Sequence, residues 1–188
     1  MVICLILNWS ASDYELHFRA PKKIRNTSQL RITSSGDESD DELLNMSSYS
    51  GVVEYFPEEL VITLKAGTSI KEAREVLEKN SQAFSFYVSN SEKTIGSIYA
   101  TSGSELSDSV LGIQIINGKG DLLNFGGQVM KNVAGYDVSR LLVGSLGKLA
   151  VITQISFKVL PEQVVNRLVL KEVKSKTESP IKSEIEKK

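Results

Sequence analysis

Apolar positions along the 188-residue chain change their spacing several times, and each change marks an element. "TSIKEAREVLEKNS" carries Ile70, Ala73, Val76 and Leu77 at helical spacing, and Ser69 stands three residues before Glu72, so the pattern predicts an amphipathic helix opened by a capping box. Glu75 and Lys79 sit four apart in the favoured order and add to it. Period-two and short apolar runs surround this helix. "GVVEYF" and "LVITLKAG" predict a hairpin with Pro57 in its turn, "AFSFYV" a short strand, and "VLGIQIINGKGDLLNFGG" a hairpin around Asn117 to Gly120. "DVSRLLVGS" predicts a short helix closed by Gly144. The long strand follows in "KLAVITQISFKVLP", whose odd positions from Leu149 to Val159 are nearly all apolar, whereas Gln154, Ser156 and Lys158 are polar.

The ends and connections read less sharply. "MVICLILNW" predicts a buried strand, being too short to span a bilayer and lacking the basic start of a signal peptide. "FRAPKKIRNTSQ" reads as a basic connection and "QLRI" as a short strand. "TSSGDESDDE" and "NSEKTIGSIYATSGSELSDS" read as two loops rich in small polar residues. Beyond Pro161 an apolar run, "VVNRLVL", precedes "KEVKSKTESPIKSEIEKK", a charged tail expected to be disordered. The order of elements gives an α+β fold with a β-rich centre, unlike the regular alternation of a doubly wound sheet.

Composition narrows the function classes. Twenty-two Lys and Arg face 23 Asp and Glu, a formal charge of -1, so neither nucleic acid nor a membrane surface is an expected partner. No transmembrane segment is expected. A single cysteine, Cys4, cannot form an internal bridge, and no Cys/His cluster has metal spacing, which suits a reducing cytoplasm and no bound metal. Cys4 lies in an apolar run and His17, the one histidine, has no partner motif, so both read as structural.

The loops carry what chemistry there is. "ITSSGDES", "KTIGSIYATSGS" and "GGQVMKNVAGYD" share small residues that let backbone approach a ligand and present N–H and hydroxyl donors to phosphate oxygens. Neither the glycine fingerprint of a Rossmann turn nor a Walker loop is present. Composition alone leaves a nucleotide site and ordinary solvated loops both open.

"TIG" with its Ser/Gly loop, followed by "VLGIQIINGKGDLLNFGGQVMKNVAGYDVSRLLVGSLGKLAVITQISFKVLP", resembles the FAD-binding domain of the vanillyl-alcohol oxidase and p-cresol methylhydroxylase type. Within that family the likeness is to glycolate-oxidase FAD-binding subunits, and it extends back through "LNMSSYSGVVEYFPEELVITLKAGTSIKEAREVLEKN". The resemblance implies a two-lobed FAD-binding domain. Residues 1–50 would form an N-terminal lobe with the phosphate loop, 51–165 the main FAD lobe, and 166–188 the apolar run and tail. Non-covalent FAD would then lie along Thr33, Ser34, Ser35 and Gly36, along the turn Thr94, Ile95, Gly96 and Ser97 with Ser102 and Gly103 behind it, and beside Gly147, Val151 and Ile152. Lys131, Asn132, Tyr136 and Asp137 would lie near the cofactor or orient the helix after them.

Where the family's phosphate loop has several glycines, this one has Gly36 alone, followed by Asp37, Glu38, Asp40, Asp41 and Glu42. Ser97 replaces the second glycine of the family's Thr-Ile-Gly-Gly, and Ala150 its Leu-Gly-Val-Ile glycine. The family's substrate domain would begin after Pro161, so the resemblance implies a chain without it. The implied function is the FAD-binding subunit of a glycolate-oxidase-like, 2-hydroxy-acid oxidoreductase. A larger catalytic flavoprotein or iron–sulfur subunit would be its partner, and catalytic residues are not identifiable. The alternative is an FAD-free structural or regulatory partner keeping the same fold.

Overall fold

The structure is a computed structural model and describes residues 20–26, 30–33, 43–127 and 137–167. It is α+β. Its first elements are helix α1 (Ala20–Asn26) and a two-stranded parallel sheet of β1 (Arg31–Thr33) and β2 (Leu43–Asn45). The main sheet contains β3 (Val52–Phe56), β4 (Val61–Lys65), β6 (Val110–Ile116), β7 (Leu122–Gly126) and β8 (Val151–Pro161) in the order β3-β4-β8-β6-β7, with β5 (Gln82–Phe84) pairing the far end of β8. Neighbours in this sheet are antiparallel. Helix α2 (Ile70–Glu78), α3 (Ile95–Thr101), α4 (Ser104–Ser107) and α5 (Val138–Leu141) complete the described elements, and a helical turn follows β8 at 162–167.

Strand β8 is the spine because it carries ladders to β4, β6 and β5 at once. Its odd residues Val151, Thr153, Ile155, Phe157 and Val159 are buried, as alternation predicts. Leu149, expected with them, is 64% exposed because it stands before the strand begins. The even face is also partly covered. Ser156 is buried against Thr63 with their hydroxyls 2.8 Å apart, and Gln154 donates to the Tyr49 hydroxyl at 3.0 Å. Phe157 meets Phe84 and Phe86 with ring centroids 5.7 and 5.5 Å away, a cluster that holds β5 on the strand.

Both predicted hairpins form. Residues Pro57–Glu59 make a 3-10 turn between β3 and β4, and Asn117 to Gly120 turns β6 into β7, with the Gly120 amide donating to the Asn117 carbonyl. The α2 capping box is complete: the Glu72 amide donates to Ser69 Oγ, and Ser69 N–H to Glu72 Oε2 at 2.9 Å.

Two connections are helical instead. "FRAPKKIRNTSQ" contains α1, begun by Ala20 and Pro21 and held by Lys23 Nζ on the Leu43 carbonyl and Arg25 Nε on the Lys119 carbonyl. The loop predicted for 90–109 contains α3 and α4. Thr94 caps α3, and Ile95, Ile98 and Tyr99 bury at the i, i+3, i+4 spacing of one face. The predicted "MVICLILNW" strand, the acidic stretch 37–42, Ser34, Ser35, Gly36, Lys131, Asn132, Tyr136 and the tail at 171–188 lie outside the described residues.

The small parallel sheet joins the main one through residues 46–51 and 66–68. Met46 N–H donates to the Thr33 carbonyl at 2.8 Å, and Gly67 N–H to the Tyr49 carbonyl at 2.9 Å. A Cβ on Gly67 would lie 2.0 Å from the Met46 carbonyl oxygen and 2.7 Å from that of Tyr49, so backbone would have to move. Gly67→Ala is therefore expected to destabilise the fold by about 3 kcal/mol, read as a Tm lower by roughly 6–12 °C. A shift within 2 °C of wild type, about the effect of a neutral surface change, would contradict this packing.

Candidate functional site

A cavity of about 270 Å3 opens where the small sheet, α3 and the turn before β8 meet. Ile32 and Thr33 of β1, Met46, Ala66 and Ile152 are among its lining residues. Thr94, Gly96, Ser97, Ala100 and Thr101 line it from α3 and its cap, and Leu146 and Gly147 from the turn before β8. None of these side chains carries a charge, and none titrates near neutral pH.

Helix α3 sits where it does because its first amides are committed to the residues that follow β4. Ile95 N–H donates to the Thr68 carbonyl and Gly96 N–H to the Ala66 carbonyl, both at 2.8 Å, and Ser97 N–H donates to Thr94 Oγ1 at 3.3 Å. Gly96 permits this approach, since a Cβ there would stand 2.9 Å from that of Ala66. The first turn of α3 thus builds the wall with the donors that a helix start ordinarily offers to an anion.

The other end of α3 holds the turn before β8. Gly144 N–H donates to the Tyr99 carbonyl at 3.0 Å and Leu146 N–H to the Ala100 carbonyl at 2.9 Å. Three residues in this turn, Gly144, Leu146 and Gly147, have positive φ of 75°, 56° and 69°. Tyr99, fully buried, donates its hydroxyl to the Ser139 carbonyl in α5. Asp137 caps α5 by accepting from Arg140 N–H at 3.1 Å and from Ser139 Oγ at 2.8 Å. Asp137 therefore supports the helix that Tyr99 grips and is not among the cavity-lining residues.

Of the residues expected at a cofactor, Thr33, Thr94, Gly96, Ser97, Gly147 and Ile152 come together around the cavity. Ile95 is fully buried in the core, and Val151 is buried in β8. Ser102 and Gly103 join α3 to α4 beyond the lining. Residues 34–36, which follow Thr33 directly, and Lys131, Asn132 and Tyr136 are outside the described residues. Ala100 and Thr101 fall outside the expected site because "KTIGSIYATSGS" reads as loop; on a helix they lie three to five positions beyond Gly96 and Ser97. Ile32, Met46 and Ala66 gave no local signal, since only the joining of the two sheets brings them to one place. Leu146 was legible as the residue enclosed by Gly144 and Gly147.

A flavin dinucleotide needs a wall for its rings and donors for its pyrophosphate. Ile32, Met46, Ala100, Leu146 and Ile152 meet the first need, and the volume lies just below the roughly 300–1,000 Å3 usual for small-molecule sites, so the cavity fits one ring-bearing part of FAD. The hydroxyl-bearing Thr33, Thr94, Ser97 and Thr101 are its polar lining. Among the described residues no group of three His, Cys, Asp or Glu could hold a metal, and no helix is long and apolar enough to cross a membrane.

Comparison with known proteins points the same way. The model of a family described as an FAD binding domain matches residues 23–126. The chain is 46% identical over 129 residues to the glycolate oxidase subunit GlcE of Escherichia coli (strain K12), covering 63% of this chain and 37% of that protein. It is 38% identical over 63 residues to the glycolate oxidase subunit GlcD of Bacillus subtilis (strain 168), covering 34% of this chain and 13% of the relative. With a D-lactate dehydrogenase of Archaeoglobus fulgidus it shares 29% identity over 105 residues, 52% of this chain and 24% of the relative. The chain thus spans little more than a third of the length of the first of these relatives, and less of the other two.

Burial, aided by the charge of Asp137, pushes the Tyr99 hydroxyl well above its ordinary pKa of 10.0. The folded protein keeps this proton where the unfolded chain releases it, so the contribution to stability is complete below about pH 10 and is lost as pH rises beyond it. Tyr99→Phe is expected to lower stability at neutral pH by about 1–3 kcal/mol, since the Ser139 carbonyl loses its buried donor. It should also flatten the fall of Tm between about pH 9 and 11. Equally steep alkaline losses in the two proteins, followed by thermal denaturation, would refute this role for Tyr99.

Proposed function

The chain belongs to the family of FAD-binding domains whose model it matches over residues 23–126, and on that premise we propose that it is the FAD-binding subunit of a glycolate-oxidase-like oxidoreductase acting on 2-hydroxy acids. The observation that carries the reading is the meeting of the Thr94–Ser97 turn and the Leu146–Gly147 turn around one uncharged cavity. FAD, when bound, supplies the acceptor for a hydride equivalent from the carbon bearing the hydroxyl. The chain's own residues hold and orient it. Ile32, Met46 and Ile152 shield a ring from water, and Thr33, Thr94 and Ser97 offer hydroxyls at its edge.

None of the cavity-lining side chains is a proton acceptor of the kind that 2-hydroxy-acid oxidation requires. The base and the substrate-carboxylate contacts are therefore assigned to a partner, a larger catalytic flavoprotein or an iron–sulfur subunit, in the cytoplasm. The naming of two relatives as glycolate oxidase subunits supports a multi-chain enzyme. Pyrophosphate contacts are assigned to Ser34, Ser35 and Gly36, and cofactor-side roles to Lys131, Asn132 and Tyr136. In the same reading residues 1–50 and 51–165 act as the two lobes around the dinucleotide.

The FAD-free alternative is favoured by one observation, the commitment of the Ile95, Gly96 and Ser97 amides within the fold. Purification separates the two. The chain, alone or with a co-expressed neighbouring subunit, is expected to carry flavin absorbance and to bleach anaerobically with glycolate or D-lactate only in the complex. Colourless protein that fails to bind added FAD in both preparations would leave the structural role.

A further inference from the structure

Leu146 is held in a conformation that its own chemistry disfavours. Its φ of 56° lies in the left-handed region, where a Cβ crowds the following carbonyl and glycine is the usual occupant. The flanking Gly144 and Gly147 have φ of 75° and 69° and meet the same geometry without strain. The fold requires the conformation, because Leu146 N–H closes the turn onto the Ala100 carbonyl at 2.9 Å. It does not require the side chain. Leu146 is 59% exposed and belongs neither to the buried core nor to the partly buried residues packed on it. Leu146 is nonetheless one of the residues that line the cavity, together with Gly96, Ser97 and Ala100.

A strained, solvent-facing leucine at the mouth of a cavity has no return within the described fold, and such outliers gather where a ligand supplies the missing contact. We propose that Leu146 is a contact residue for the cofactor, its isobutyl group covering the apolar face of a bound aromatic ring. The strain is then offset when ligand binds, because binding buries side-chain surface that glycine would lack. Leu146 becomes the residue that sets ring affinity, while Gly144 and Gly147 only shape the turn. This rests on the reading of the cavity as an FAD site. The ring is either the flavin or the adenine, which present the same flat face.

Three variants test it, with FAD binding followed by fluorescence quenching and stability by thermal denaturation of flavin-free protein. Leu146→Ala keeps the strain and loses the contact, Leu146→Gly loses both, and Leu146→Met keeps both. Alanine and glycine variants are each expected to weaken FAD binding roughly tenfold, the size of effect for an aliphatic side chain half-buried by ligand, and methionine to stay within about threefold of wild type. Without flavin, Leu146→Gly should melt about 2 °C or more above Leu146→Ala. A loss shared with riboflavin 5′-phosphate identifies the flavin ring, and one shared with ADP the adenine. Wild-type affinity for FAD in Leu146→Ala would overturn the proposal while leaving the site in place. A wild-type chain that binds no FAD, alone or in its complex, would overturn the site and the proposal together.

Discussion

Helix α3 is fastened at both ends by backbone hydrogen bonds to segments distant in the chain, and the cavity depends on that double fastening. Its first amides reach the Ala66 and Thr68 carbonyls, and its last carbonyls receive the Gly144 and Leu146 amides. Seven residues that include Gly96, Ser97 and Thr101 would not hold a helix alone in water. Tertiary bonds supply the order that propensity does not. Two sequence motifs about fifty residues apart thereby come to line one cavity, and Ala66 against Gly96 fixes how close α3 stands to the end of β4.

The same fastening determines what kind of ligand the cavity suits. A helix start with free amides attracts phosphate, but here the Ile95, Gly96 and Ser97 amides bond within the protein. The cavity is left with hydroxyls and apolar surface, which suits a ring better than a dianion. The sequence places five acidic residues just after Gly36. Two like charges at close range in water repel by about 1 kcal/mol, more where water is thin, so a pyrophosphate near this stretch needs compensating donors or cations. Under the proposed function the labour divides, with ring contacts in the cavity and charge compensation left to other residues or to a partner.

The parts of this fold that were legible in the sequence are those whose local signal and tertiary role agree. The α2 capping box at Ser69 and Glu72, the turns at Pro57 and Asn117, and the odd face of β8 all read directly, because each residue does in the fold what it favours in isolation. α3 was hidden because Gly96, Ser97 and Ser102 argue for loop while Ile95, Ile98 and Tyr99 argue for a buried helical face, and burial wins. α1 was hidden by its basic residues, two of which, Lys23 and Arg25, bond the Leu43 and Lys119 carbonyls. For the site, the motif residues were legible and the packing partners were not. Met46 and Ala66 line the cavity only because Gly67 lets the two sheets meet.

Asp137 shows how a motif residue can matter without touching a ligand. The resemblance left it either beside the cofactor or orienting the following helix, and the geometry favours the second role. Its carboxylate binds Ser139 Oγ and the Arg140 amide, fixing the start of α5, and the Ser139 carbonyl then receives the Tyr99 hydroxyl from the centre of α3. Arg140 extends the same group through ion pairs with Asp137 at 3.2 Å and Asp108 at 3.6 Å, both exposed and each contributing under about 1 kcal/mol. The buried Tyr99 link is therefore the one that ties α5 to α3, the helix that in turn carries the Gly144–Gly147 turn.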